Sequence, residues 1–558
     1  PTPTPPTPTP TPPTPTPTPP TPTPTPPTPT PTPPTPTPTP PTPTPTPPTP
    51  PTPPTPTPPT PPTPTPPTPP TPPTPTPPTP SVSPTPTSVS PLEAILQKSQ
   101  NEFNIALNLQ RPSIVLRSDL IQLQNNLRNL TSENAREPIF NSTFRNNIER
   151  SFNSGDIIQA LAQIDKSFTE EFESYFGRNF NAALPSLNDI QGTLKTIEQR
   201  TGTKPSLIYV FSRPEQLELV LVTSSGSIVH ESVPEAKREV LLPTIAEFKN
   251  DITNPRLRNT TTYRASAQQL YKWIVAPLET ALQERGIDTI AFTMDKGLRG
   301  IPIAALHDGK QFLMEKYNLS LIPTINLTDT RYVDVKNSPV LAMGASQFTN
   351  LNPLPAVPIE IKTIISEWPG VSFLNEGFTL ENLKRQRESQ AFGIIHLATH
   401  GEFQAGAPSN SFIQLWDTRL QLDQLRQLRL NDPAVELLVL SACKTAVGDG
   451  DAELGFGGLA VQAGVKTALA SLWYVSDEGT LALMTEFYDQ LRRSPIKAAA
   501  LRQTQIAMLK GQVRLQGGQL IGANGSIVEL PESLRKLSDR NLSHPFYWSA
   551  FVMIGSPW

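Results

Sequence analysis

Short apolar runs recur from residue 205 to the end of the chain, and the residues between several of them read as helices. SLIYVFS (206–212) and LELVLVTSSG (217–226) are spaced as a hairpin. TIAFTM (289–294), PVLAMGAS (339–346), VSFLNE (371–376), GIIHLATHG (393–401), FIQLW (412–416), VELLVLSACKTA (435–446), TALASLWYV (467–475) and WSAFVMIG (548–555) come after them. Helical periodicity is predicted over 262–283, in IEIKTIISEW and in EGTLALMTEFYDQLRR. Runs this short and this continuously apolar suit strands buried on both faces. Strand–helix alternation of this kind predicts an α/β fold, a largely parallel sheet with helices on both faces.

The front of the chain cannot join that sheet. Residues 1–80 are only Pro and Thr, and SVSPTPTSVSP carries the bias on to Pro91. Proline removes the backbone donor and fixes φ, so residues 1–91 are predicted to be a disordered, extended spacer. At about 3.1 Å per residue, eighty residues reach roughly 250 Å. As a stalk it would permit a cell-surface location, with its threonines open to glycosylation after export. The chain begins at Pro1-Thr2 without a methionine or a charged leader, so its true N-terminus can lie upstream; a cytoplasmic location is expected only if the visible chain is near complete.

Residues 92–200 read as helices. Leu92, Ile95 and Leu96 open one amphipathic run, and Ile157, Leu161, Ile164 and Phe168 give helical spacing in another that reaches Phe172 and Tyr175. They are expected to form a helical hairpin or bundle, or a support for the next domain. No 34-residue repeat is legible there. Net charge is −3, which gives no footprint for nucleic acid. No apolar run reaches the eighteen residues of a membrane span. The single cysteine, Cys443, rules out an intrachain disulfide and a thiolate zinc cluster.

That cysteine stands in a distinctive place. One buried run ends in Thr399-His400-Gly401 and another in Ala442-Cys443-Lys444. In open α/β sheets, sites form at the carboxyl ends of strands. If the two strands are neighbours, His400 and Cys443 meet on one rim. A thiol with a pKa near 8.5 is mostly protonated at neutral pH. A nearby imidazole can take that proton and later return one to a leaving amine. Gly401 is expected to turn the backbone sharply, and its N–H with that of Cys443 can form an oxyanion hole. No third orienting side chain is evident, so a backbone carbonyl is the candidate to hold the imidazole.

The segments HLATHG, LSACKTA and GDGDAELGFGGLAVQAGVKTALASLW, with the upstream GLRGIPIAALHDGKQFL and the terminal HPFYWSAFVMIG, resemble a CHAT domain. This family, common in bacteria, is a branch of the caspase–separase–gingipain group of cysteine peptidases. The resemblance covers roughly residues 200–558. It implies a caspase-like sheet, with 201–335 as the N-terminal part of the domain and 336–558 as its catalytic part. It implies His400 and Cys443 as a catalytic dyad of a cysteine endopeptidase, a protein or peptide substrate, and no cofactor. The tetratricopeptide partner usual in such proteins is not evident, and an activating protein would act through the helical region.

Leu-Trp-x-Val-x-Asp, here Leu472 to Asp477, is similar to a stretch of separases in which the acid reads a basic P1 residue. This implies a P1 pocket built from Asp477 and Trp473 and cleavage after Arg or Lys. The structural alternatives are that Asp477, or Ser476, caps the following helix and that Trp473 is core. Autocleavage at Arg419, Arg426 or Arg429 in 402–434 is a conceivable route of activation. A catalytically silent scaffold or binding module on a Pro/Thr stalk is the alternative function, and a stalked adhesin is a third.

Other residues attract weaker readings. His396 and His400 share a face of a strand but lie roughly 13 Å apart, too far to bind one metal. His396 is expected to hydrogen-bond within the sheet rim, His307 to sit at a turn before Asp308-Gly309, and His230 and His544 to make structural contacts. Gly455-x-Gly457 does not follow a strand directly, which breaks a dinucleotide fingerprint. Residues 448–455 are expected to be an active-site loop leading into a small-faced helix over 456–463 that packs on the sheet. Asp449, Asp451 and Glu453 could bind Ca²⁺ or simply be a solvated acidic loop.

Overall fold

A computed structural model describes residues 139–180, 183–445, 450–535 and 539–558. The Pro/Thr tract and the run from Leu92 lie outside these residues. Three helices come first: α1 (Ile139–Asn153), α2 (Ile157–Phe176) and α3 (Leu187–Thr201). α2 is capped by Asp156, which accepts from the N–H of Gln159, and ends in Gly177 at φ 62°, the left-handed conformation that glycine adopts without a Cβ clash. The predicted stripe is real: Leu161, Ile164, Phe168 and Phe172 are buried, while Tyr175 is half-buried.

The next strands are β1 (Pro205–Ser212), β2 (Leu217–Thr223) and β3 (Val229–Val233), an antiparallel meander. α4 (Arg238–Thr253), α5 (Arg264–Ile274) and α6 (Glu279–Glu284) lead to β4 (Thr289–Met294). The helix expected over 262–283 is thus broken at residues 275–278, where Pro277 removes a donor. α7 (Leu313–Lys316) and β5 (Asn318–Leu321) close the first half. The second half runs β6 (Val340–Gly344), α8 (Val357–Glu367), β7 (Gly370–Leu374), α9 (Leu380–Ser389), β8 (Ile394–Phe403), β9 (Phe412–Gln414), β10 (Arg419–Gln421) and β11 (Leu437–Thr445). Then come α10 (Gly450–Gly457), α11 (Leu459–Ala463), β12 (Thr467–Ser471), α12 (Asp477–Leu491) and α13 (Lys497–Leu509). A small sheet of β13 (Arg514–Gln516), β14 (Gln519–Ile521) and β15 (Ile527–Glu529) precedes α14 (Glu532–Arg535), α15 (Pro545–Trp548) and β16 (Phe551–Gly555).

Thirteen strands form one sheet in the order β10-β9-β8-β11-β12-β16-β5-β4-β1-β2-β3, with β6 and β7 joined alongside β8. β7, β6, β8, β11 and β12 are parallel to one another, as are β16, β5, β4 and β1. The last strand, β16, is antiparallel to β12 and so is the seam between two oppositely directed parallel halves. The α/β expectation therefore holds. The strands expected at 467–475 and 548–555 are shorter than their apolar runs. Residues 472–476 form the loop out of β12, and Trp548 belongs to α15.

Both faces of the sheet are covered. On β1, Leu207, Tyr209 and Phe211 face a core shared with Ile148, Leu161, Ile164 and Leu194 of the first three helices. Ile208 and Val210 face the opposite core with Leu241, Phe248 and Leu270. The first helices therefore support the sheet. Arg145 of α1 is tied to Asp295, just beyond β4, by an ion pair of 2.8 Å. Arg299 pairs with Glu171 of α2 at 2.5 Å.

Candidate functional site

β8 and β11 are parallel neighbours at the middle of the second half of the sheet. Every residue of β8 from Ile394 to Thr399 is buried, which is why the run is apolar on both faces. The ladder pairs Ser441 with Ala398 and then Cys443 with Gly401. Ala442 on β11 is therefore opposed by two residues of β8, Thr399 and His400. This is a β-bulge, which breaks the strict alternation of β8. Gly401 does not turn the chain. β8 continues to Phe403, because Gly401 and Glu402 also pair with Ile413 and Phe412 of β9.

The bulge has a second consequence. His396 and His400 are four apart, but the extra residue takes them out of a common phase, contrary to the expected shared face. His396 is fully buried against the helical layer, away from the rim. Its Nε2 is 2.8 Å from Glu360 Oε1 on α8, and its Nδ1 is 3.2 Å from the Tyr488 hydroxyl on α12.

His400 is half-buried at the carboxyl end of β8. Its Nε2 donates to the carbonyl of Asn352 at 2.8 Å. A carbonyl can only accept, so the neutral ring carries its proton on Nε2 and leaves the Nδ1 lone pair available as a base. The Phe348 ring meets the imidazole edge-on, with centroids 4.7 Å apart. Asn352 and Phe348 lie in the segment between β6 and α8. Nothing in their local sequence marks them, since their role comes from β6 pairing beside β8. That close approach depends on Gly344, where a β-carbon would stand 2.7 Å from both the Ala398 carbonyl oxygen and the Val357 side chain.

The acidic stretch after Cys443 is not a loop to residue 455. α10 already begins at Gly450, with residues 446–449, including Asp449, outside the described residues. Glu453 is neither solvated nor turned toward a shared cation site. It is 2% exposed and pairs with Lys249 of α4 at 3.0 Å, while its other oxygen accepts from the N–H of Gly297 at 3.1 Å. Asp451 accepts from the N–H of Gly406. Among the described residues no group of three His, Cys, Asp or Glu could hold a metal ion. The glycines nearby meet α2 rather than the sheet alone: a β-carbon at Gly458 would lie 2.6 Å from the Phe176 ring.

Asp477 is the first residue of α12, six positions beyond the end of β12. Neither it nor Ser476 caps α12 through a side-chain bond. The Asp477 carboxyl instead accepts from the N–H of Ala356, just before α8, at 2.6 Å. Desolvation pushes its pKa up to about 7, the Ala356 hydrogen bond opposes that, and the neighbouring Glu360 and Glu478 add to it. The carboxyl is thus poised between neutral and charged near neutral pH. Trp473 is buried, with its indole N–H donating to the carbonyl of Phe546 at 3.0 Å. Tyr474, between the two, is 43% exposed.

The remaining histidines are structural. His307 Nδ1 accepts from the N–H of Gly309 in the expected turn, and His544 Nδ1 accepts from the N–H of Phe546 at the start of α15. His230 Nε2 lies 2.9 Å from Glu218. Arg419, Arg426 and Arg429 are all exposed. No described helix is long and apolar enough to cross a membrane.

The profile of the CHAT domain family matches residues 264–556. Among solved structures, the chain is similar to the separase of the Saccharomyces cerevisiae separase–securin complex, with TM-score 0.42 and 11% identity over 84% of this chain and 38% of that one. It is also similar to RgpB of Porphyromonas gingivalis in the complex of its pro- and mature domains, with TM-score 0.32 and 11% identity over 57% of this chain and 76% of that one. The chain thus spans about two fifths of the yeast protein's length. No curated protein sequence matches it.

Proposed function

The chain belongs to the CHAT domain family, and on that premise we propose that it is a cysteine endopeptidase in which Cys443 is the nucleophile and His400 its acid–base partner. The observation that carries this reading is the β8–β11 ladder. It sets Cys443 opposite Gly401, at a bulge containing an imidazole whose Nε2 is already committed to the Asn352 carbonyl. Nδ1 then takes the thiol proton as sulfur attacks the scissile carbonyl. The N–H groups of Gly401 and Cys443 stabilise the oxyanion. His400 passes the proton to the departing amine, and water releases the acyl group from sulfur.

Asp477 and Trp473 form the P1 side in this reading, with cleavage after Arg or Lys. A bound guanidinium would lower the Asp477 pKa, so that the carboxyl gives its proton to solvent and becomes a charged partner. Residues 336–558 carry the chemistry, and residues 201–335 buttress the sheet.

The test is covalent labelling by an arginyl chloromethyl ketone, with hydrolysis of peptides carrying Arg at P1 as the second readout. Wild type is expected to be labelled and to turn over substrate. Cys443→Ala is expected to abolish both, and His400→Ala to slow both at least 100-fold. A folded wild-type protein that is neither labelled nor active would overturn this reading and favour a silent scaffold.

A further inference from the structure

Beside His400 lies an open cleft of about 720 Å³. Its walls are the segment after β6, with Gln347, Phe348 and Leu351, and the β9–β10 hairpin, with Gln414, Trp416 and Arg419. The same Phe348 ring packs edge-on against the His400 imidazole, and Thr399 Oγ1 ties the hairpin to β8 by donating to the Gln414 carbonyl at 2.6 Å. The cleft therefore shares its walls with the residues that hold His400.

Strand order tells which end of a substrate it faces. Along the carboxyl rim the sequence is β12, β11, β8, and then β6 with β9. This sets His400, with the cleft beyond it, on one side of Cys443 and β12 on the other. Adjacent strands are about 4.8 Å apart, so the rim unrolls these groups in a line. The residue that returns a proton to the departing amine must stand on the amine's side of the scissile bond. The leaving half then runs over His400 into the cleft, and the acyl half lies on the β12 side of Cys443.

The cleft also has a charge signature. Its lining holds one charged side chain, Arg419. That guanidinium is exposed, lies 4.2 Å from the Phe412 ring centre, and donates through Nε to Gln414 Oε1 at 3.2 Å. Among the described residues no carboxylate pairs with it. The ring and the amide orient the fork and leave its terminal nitrogens to a ligand.

We propose that this cleft binds the leaving-group half of the substrate chain and that Arg419 selects an acidic side chain two or three residues beyond the scissile bond. The inference rests on the dyad reading. As the C–N bond breaks, the acyl group stays on the Cys443 sulfur, His400 gives its proton to the amine nitrogen, and the released peptide departs through the cleft.

The test uses internally quenched peptides identical through a P1 Arg, with Glu, Gln or Lys at the second or third position after it. Comparing peptides within each enzyme preparation cancels any difference in folded fraction. Wild type is expected to favour Glu over Gln by about fivefold in kcat/KM at one of these positions, the upper range for an exposed ion pair, and to disfavour Lys. Arg419→Glu is expected to reverse the order, and Arg419→Lys to keep its direction. Cleavage that is indifferent to this charge, or an Arg419→Glu enzyme that still prefers Glu, overturns the proposal while leaving the dyad intact. The arginyl chloromethyl ketone carries no residue on the leaving side, so a protein that it fails to label and that cleaves no peptide overturns the dyad reading and this one together.

Discussion

Asp477→Asn isolates a carboxyl that the fold holds near its neutral form. The folded-state pKa is about 7 against an ordinary value of 3.8. A raised carboxyl pKa works against the folded state as pH rises. Below about pH 4 the group is neutral in both states and contributes nothing. Between 4 and 7 the unfolded chain sheds its proton while the folded chain retains it, so stability falls. Above 7 the penalty is complete. About three units at 1.4 kcal/mol each set a ceiling near 4 kcal/mol, and partial exposure to solvent reduces it to about 2 kcal/mol. Asparagine can still accept from the Ala356 N–H and cannot ionise. Guanidinium unfolding tracked by tryptophan fluorescence, run from pH 4 to pH 8, is the assay. Asp477→Asn is expected to match wild type at pH 4 and to exceed it by about 2 kcal/mol at pH 8. A difference that is constant with pH, or a wild type that is the more stable at pH 8, would refute the argument. The same assay reaches the proposed P1 role, because an arginyl ligand pairs with the ionised form. Labelled wild type is expected to lose its decline with pH.

Three other perturbations test the frame. Glu453→Ala strands the Lys249 ammonium in the core and is expected to cost about 3–5 kcal/mol in chemical denaturation, whereas Lys249→Met combined with Glu453→Leu costs far less than the sum of the single changes. Asp295 is held at a pKa of about 2, chiefly by Arg145 working against its burial, so its contribution is present above pH 4 and disappears as pH falls through 2. Asp295→Asn is expected to lose about 2 kcal/mol at pH 7 and little at pH 2 in urea unfolding, with loosening of α1 read by amide exchange. Gly344→Ala pushes a methyl against the Ala398 carbonyl oxygen and Val357, and is expected to cost about 1–3 kcal/mol in the same unfolding assay, with a loss of the proposed peptidase rate from displacement of the His400 segment.

The elements legible in the sequence were those with a local cause. Period and composition locate β1, β4, β8 and β11, because a strand covered on both faces must be apolar at every position. The stripe Leu161, Ile164, Phe168 marks α2 for the equivalent helical reason. His400 and Cys443 are visible as polar ends of such strands. Four short-range expectations failed through distant partners. A glycine-rich, acidic stretch looks like a loop until Lys249 and Gly297, some 150–200 residues earlier, accept Glu453 into the core. Gly401 looks like a turn until β9 returns to pair with it. The 472–475 run looks like strand until α15 takes the Trp473 N–H. His396 looks like a rim residue until α8 and α12 cover it.

What the sequence alone determined is which segments must be buried and which side chains could do chemistry, since burial and reactivity are written in residue type and period. Only the tertiary structure decided the aim of the His400 imidazole. The extra residue at Thr399–His400 exists only relative to β11, the Asn352 carbonyl reaches His400 only because β6 lies beside β8, and the cleft with Arg419 opens only between two segments some seventy positions apart. Register, tautomer and cleft are properties of pairs of segments, and no single stretch of chain encodes a pair.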